Sequence, residues 1–127
     1  MKQILVVDDE ASVRLVIRDV LEADGYAVSE AADGEDAFRQ IKTQPVDLIV
    51  TDLVMPNKNG IDLILELKKE YPNAPVLAIS GGGGISGRFD YLKVAELVGA
   101  KNIMSKPFDI ADLRLTVARM LAGTVAQ

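Results

Sequence analysis

An α/β fold, with a parallel sheet covered by helices on both faces, is what this 127-residue sequence predicts. Three observations carry the prediction. Short runs rich in Val, Ile and Leu, of the kind buried on both faces of a parallel sheet, alternate with stretches of helical periodicity. The connections are short, so consecutive strands join through helical, right-handed crossovers. Two of the apolar runs, residues 4–7 and 46–51, stop in acid, as strands do when they deliver side chains to the carboxyl edge of an open sheet.

The first strand is Ile4-Leu5-Val6-Val7, followed at once by Asp8-Asp9-Glu10. Val13, Val16, Ile17, Val20 and Leu21 recur at i, i+3, i+4, i+7 and i+8, the stripe of an amphipathic helix that Gly25 closes as its C′ residue. Leu15 points away from the stripe, either as an ordinary exposed leucine or as part of a docking patch near the acidic loop. Residues 26–31 read as a more polar second strand at a sheet edge. Asp33-Gly34 turns into a short helix with Ala37, Phe38 and Ile41 inward. The third strand, residues 46–51, is bracketed by Pro45 and Pro56 and leads into Asp52, which alone reads equally as a loop cap and as a site residue.

A helix over residues 61–71 is expected to turn Ile61, Ile64 and Leu65 inward, with Leu67 or Lys68 at its margins, and Pro72 ends it. Residues 75–79 form a fourth buried strand, which stops at Ser80 before the four glycines of residues 81–84. In the next helix Phe89, Tyr91, Leu92, Val94, Ala95, Leu97 and Val98 spread apolar surface around most of the circumference, which fits core packing or a partner contact. Gly99 ends that helix, and Asn102-Ile103-Met104-Ser105 is a short fifth strand ending at Lys106-Pro107-Phe108. Asp109 caps a last helix with Leu113, Val117, Met120 and Leu121 on one face. One domain over residues 1–122, with a short polar tail at 123–127, accounts for the chain.

Composition narrows the function classes. With 19 acidic and 14 basic residues the net charge is −5, so the positive field of a nucleic-acid binder is missing and no direct DNA contact is expected. There is no cysteine, which excludes disulfides and thiolate metal sites and fits a reducing compartment. There is no histidine either, so neither an imidazole base nor a phosphohistidine can come from this chain. The N-terminal apolar run is far too short for a signal segment or a membrane span; no membrane insertion and a cytoplasmic location are expected.

If the first and third strands are neighbours, Asp8, Asp9 and Asp52 converge. Two carboxylates about 4 Å apart repel by about 4 kcal/mol at an effective dielectric near 20, so the cluster calls for a cation. Ser80 and Lys106, at the ends of the fourth and fifth strands, reach the same edge. Three carboxylates, one ammonium and one divalent ion together are neutral. Oxygen ligands alone suit a hard ion such as Mg²⁺, which keeps several waters and accepts phosphate oxygens. With no histidine or cysteine available, the nucleophile at the centre is a carboxylate, and aspartate is a known phosphoryl acceptor.

Asp8-Asp9-Glu10, Asp52 with Met55-Pro56 and Gly60, Ser80, Gly99-Ala100 and Lys106-Pro107-Phe108 together resemble the receiver domain of two-component response regulators, of the chemotaxis-regulator type, over residues 1 to about 121. The resemblance implies a flavodoxin-like three-layer sandwich with strand order 2-1-3-4-5. It implies that Asp52 accepts a phosphoryl group from a phosphohistidine of a sensor histidine kinase or histidine phosphotransfer protein. Mg²⁺ would be bound directly by Asp9 and Asp52, through water by Asp8, and by the backbone carbonyl of Val54. Lys106 would pair with Asp52 and then with the phosphoryl group, and Ser80 would swing toward it with Gly81 and Gly82. Self-catalysed phosphorylation and dephosphorylation are the only enzymatic activities implied. The Lys106–Pro107 peptide would be cis rather than a plain trans entry to the last helix.

Three departures from the family pattern bear on output. Ile103 stands where the family usually has an aromatic residue, so the familiar coupled rotation of serine and ring cannot operate as described. Residues 80–106 run longer than usual, and the glycines fill the extra length, either as a loop that closes over the phosphoryl group or as a plain connection. The chain also stops soon after its last helix. A stand-alone receiver would act by touching a downstream protein or a second copy of itself, with residues 89–98 and the last strand and helix as the candidate surface. The alternative is a fragment of a longer regulator with a DNA-binding or enzymatic output domain.

Two rivals from other classes are weaker. A flavin carrier would need its first loop to cradle a phosphate, which Asp8-Asp9-Glu10 would repel. A phosphohydrolase with an aspartyl nucleophile usually has a second aspartate two positions on, where this chain has Val54.

Overall fold

The computed structural model of the chain describes residues 1–53, 60–80 and 91–125, the last stretch with side chains over residues 93–122. Strands and helices alternate as β1 (Gln3–Val7), α1 (Ala11–Ala23), β2 (Ala27–Ala31), α2 (Gly34–Thr43), β3 (Leu48–Asp52), α3 (Gly60–Glu70), β4 (Val76–Ser80), α4 (Tyr91–Val98), β5 (Asn102–Ser105) and α5 (Ile110–Val125). The sheet order is β2-β1-β3-β4-β5 with every pair parallel, the order the resemblance implies.

Alternation along the buried strands divides the core in two, because successive side chains leave a strand on opposite faces. Leu5, Val7 and Ile49 point to one side, where Ala37 of α2, Leu63, Ile64 and Leu67 of α3 and Ala95 of α4 cover them. Ile4, Val6 and Val50 point to the other, beneath Ile17 and Leu21 of α1 and Leu113 and Val117 of α5. Both faces of β1, β3 and β4 are therefore dry. β2 and β5, at the edges, keep mostly half-buried or exposed residues.

The helix ends follow local chemistry. After α1, Gly25 at φ +93° donates to the carbonyl of Glu22 and Tyr26 donates to that of Leu21, the paired bonds of a Schellman closure. Asp33 caps α2 by accepting the Asp36 N–H at 2.8 Å, and Asp109 caps α5 by accepting that of Ala111 at 2.7 Å. Gly99, at φ +131°, ends α4. The Lys106–Pro107 peptide is cis.

Packing corrects three sequence expectations. Val16 is 45% exposed, since the buried stripe of α1 is centred between Ile17 and Leu21 and position 16 lies roughly 100° around the helix from it. In α3 the inward residues are Leu63, Ile64 and Leu67, whereas Leu65 is 49% exposed on the opposite side. Three consecutive apolar residues, Leu63-Ile64-Leu65, leave the facing side open in sequence, and the sheet decides it. The expected tail from residue 123 is shortened, because α5 runs on to Val125. Leu97 of α4 is 82% exposed, Leu15 of α1 is exposed as expected, and Phe89 lies outside the described residues. Among the described residues no helix is long and apolar enough to cross a membrane.

Candidate functional site

Register brings the site together. Val7 of β1 lies opposite Thr51 of β3, so Asp8 and Asp52, each one residue further on, meet where the two strands leave the core. Asp52 in turn lies opposite Ile79, and Ser80 opposite Ser105, which puts Ser80 and Lys106 along the same edge. The Lys106 N–H donates to the Ser80 carbonyl at 3.0 Å and ties that corner together.

Asp8, Asp9 and Asp52 each offer a carboxylate oxygen, all within 4.8 Å of one another. Asp8 and Asp52 are buried and Asp9 is exposed, so the cluster opens to solvent on one side. At that separation the two buried carboxylates repel by about 3 kcal/mol at an effective dielectric near 20. Lys106 relieves part of this. Its ammonium donates to Asp8 Oδ2 at 3.0 Å and lies 3.6 Å from Asp52 Oδ2 and 3.8 Å from Glu10 Oε1. Burial disfavours the Lys106 charge, yet the Asp8 hydrogen bond and the fields of Asp52, Asp8 and Glu10 outweigh it and raise the ammonium above its ordinary value. The lysine thus leans on Asp8 more closely than on Asp52, the partner the sequence reading names.

The two buried acids are held by backbone donors. Asp52 Oδ1 accepts the Leu53 N–H at 2.9 Å, and the Asp52 carbonyl accepts the Thr51 hydroxyl at 2.8 Å. Gly60, which opens α3, packs so closely that a Cβ there would lie 2.3 Å from the Asp52 carbonyl oxygen. Asp8 Oδ1 accepts the Glu10 N–H at 2.9 Å. The Ser80 hydroxyl is buried and, among the described residues, finds no hydrogen-bond partner.

The donor chemistry fits a hard divalent cation: three carboxylate oxygens, one ammonium that neutralises only one of them, and a hydroxyl waiting for an acceptor. Ile103, three residues before Lys106, is 37% exposed on β5. Val54, Gly81 and Gly82, which the sequence also points to, lie outside the described residues. Beside Lys106 and Pro107, a mainly apolar cavity of about 560 Å³ opens between Val13 and Val16 of α1 and Phe108 and Ile110.

Sequence reading missed what supports the acids from behind. Arg14 of α1 donates through Nη1 to the Asp8 carbonyl at 2.6 Å and through Nε to Glu30 of β2 at 3.0 Å. Glu30 also accepts Arg18 Nη1 at 2.7 Å. The one available signal was a charged residue, Glu30, in the second strand of a chain whose preceding helix carries two arginines one turn apart, Arg14 and Arg18.

Residues 4–118 match the family model described as the response regulator receiver domain. The chemotaxis protein CheY of Thermotoga maritima is 36% identical over 108 residues, spanning 84% of this chain and 87% of that protein. The DNA-binding transcriptional regulator NtrC of Rhizobium meliloti is 37% identical over 119 residues, 94% of this chain but only 24% of that protein. Among solved structures, the receiver domain of NtrX from Brucella abortus superposes with a TM-score of 0.85 at 32% identity, covering 94% of this chain and 98% of that one.

Proposed function

We propose, from the premise that the chain belongs to the response regulator receiver domain family of two-component signalling, that Asp52 is its phosphoryl acceptor. The observation that carries this reading is the convergence of the Asp8, Asp9 and Asp52 carboxylates within 4.8 Å, with the Lys106 ammonium 3.6 Å from Asp52. A carboxylate oxygen of Asp52 attacks the phosphorus of a partner's phosphohistidine. The N–P bond breaks, and its electron pair stays on the partner's imidazole. Asp8, Asp9 and Asp52, with the Val54 carbonyl, would hold Mg²⁺, which when bound supplies charge neutralisation for phosphoryl oxygens. Lys106 leaves Asp8 to meet the added charge, and the Ser80 hydroxyl gains the acceptor it does not find among the described residues.

Output passes through residues 80–106 to a protein partner, which is a downstream target or a second copy of the chain. CheY, matched over 87% of its length, and NtrC, matched over 24%, support respectively a receiver that acts alone and one that acts inside a longer regulator. Turnover is confined to phosphorylation and dephosphorylation of Asp52, in the cytoplasm.

Intact mass after incubation with Mg²⁺ and acetyl phosphate tests the assignment. The native chain gains one phosphoryl group, while Asp52→Asn and the native chain in chelator gain none. Equal labelling of Asp52→Asn would end it.

A further inference from the structure

The geometry points to Arg14 as a positioning residue for the acidic pocket: it anchors the peptide that joins Asp8 to Asp9, and through that peptide it aims the exposed Asp9 carboxylate. This rests on reading the pocket as a cation-assisted acceptor site.

The three acids are not held alike. Asp52 is fixed by the Leu53 N–H, and Asp8 by the Glu10 N–H and Lys106. Asp9 makes no hydrogen bond or ion pair with any described residue and is exposed. Its carboxylate can therefore be placed only by its own backbone. The plane that sets the backbone is the Asp8–Asp9 peptide, whose carbonyl end belongs to Asp8, and that carbonyl accepts Arg14 Nη1 at 2.6 Å. On the near side, the Asp8 N–H is already fixed to the Ala31 carbonyl at 3.1 Å. Without Arg14 the plane can rotate, changing ψ of Asp8 and φ of Asp9 together, and the Asp9 carboxylate moves with it.

Arg14 is suited to this by how it is itself held. Its side chain is only 18% exposed, and its Nε donates to Glu30, which Arg18 grips from the other side. Glu30 also neutralises the guanidinium, so a cation stands behind an acidic pocket without closing it to another cation. A planar guanidinium satisfies Glu30 and the Asp8 carbonyl at once through two donors held in a fixed fork, whereas an ammonium is a point charge on a flexible stem. Groups that orient metal ligands from behind typically carry 10–100-fold in metal affinity.

Charge alone predicts the opposite sign. Removing a positive side chain next to three carboxylates would tighten cation binding, whereas losing the aim of Asp9 weakens it. Calorimetric titration with Mg²⁺ on the whole chain separates the two, with metal-free thermal unfolding as a second reading. Arg14→Met is expected to weaken Mg²⁺ binding about tenfold. Arg14→Lys keeps the charge but makes only one of the two contacts, so its affinity falls between Arg14→Met and the native chain. Arg39→Met, which removes an equal charge from an exposed pair with Asp36 on α2, leaves the affinity unchanged. Should Arg14→Met not fold, Arg14→Lys decides alone. Native or tighter binding in the Arg14 variants overturns the inference while leaving the pocket intact. A native chain that does not bind Mg²⁺ overturns the reading of the pocket beneath it.

Discussion

A buried hydroxyl without a partner costs about 1–3 kcal/mol, and Ser80, which finds none among the described residues, carries that cost at the end of β4, next to the acid cluster. Ser80→Ala is therefore expected to leave stability in urea unchanged or raise it by up to about 1 kcal/mol, while slowing the labelling of Asp52 by acetyl phosphate. Lower stability with unchanged labelling would make the hydroxyl a structural group. The five side chains that meet here were all readable as residues, because each ends a strand or stands just past one: Asp8 and Asp9 after β1, Asp52 in β3, Ser80 in β4 and Lys106 after β5. Arg14 was not readable, because its partner at the site is a backbone carbonyl and no residue type announces that. The tilt of Lys106 toward Asp8 was hidden for a related reason: it depends on about half an ångström between two equivalent oxygens.

Elements decide which face is buried, and α3 shows how. Leu63 and Leu65 are identical residues two positions apart, one buried against the sheet and the other half exposed. Leu63→Ala should cost about 2–5 kcal/mol, and Leu65→Ala less than about 0.5 kcal/mol, by chemical unfolding. Equal losses would mean that α3 sits in another register. The tie between α1 and β2 predicts an acid response. The Glu30 carboxyl is held below its ordinary value of 4.5, first by the Arg18 hydrogen bond, against an opposing effect of burial, and then by Arg14. Below 4.5 the unfolded chain takes up this proton before the folded one does, so the stability Glu30 contributes is present above that pH and lost as pH falls toward its folded value. Unfolding midpoints measured from pH 6 downward should fall less steeply for Glu30→Gln than for the native chain. Parallel curves would mean that the two arginines contribute nothing through it.

At the scale of the molecule, a parallel sheet with both faces dry leaves its carboxyl edge as the place where polar side chains can gather, and four of its five strands bring acid, hydroxyl and ammonium there. The α/β class and the element order were plain in the apolar runs, since burial on both faces demands them. Strand order was not, because the runs carry no record of which neighbour they pair with; the resemblance carried by the motifs supplied it. Everything functional then turns on one carboxylate. The most direct measurement is to phosphorylate the chain with acetyl phosphate and Mg²⁺, reduce it with borohydride, which turns an aspartyl phosphate into homoserine, and map the product by peptide mass. Homoserine at position 52 and nowhere else is the predicted result. Homoserine at position 8 or 9, phosphate retained on Ser80, or no modification at all would contradict the account.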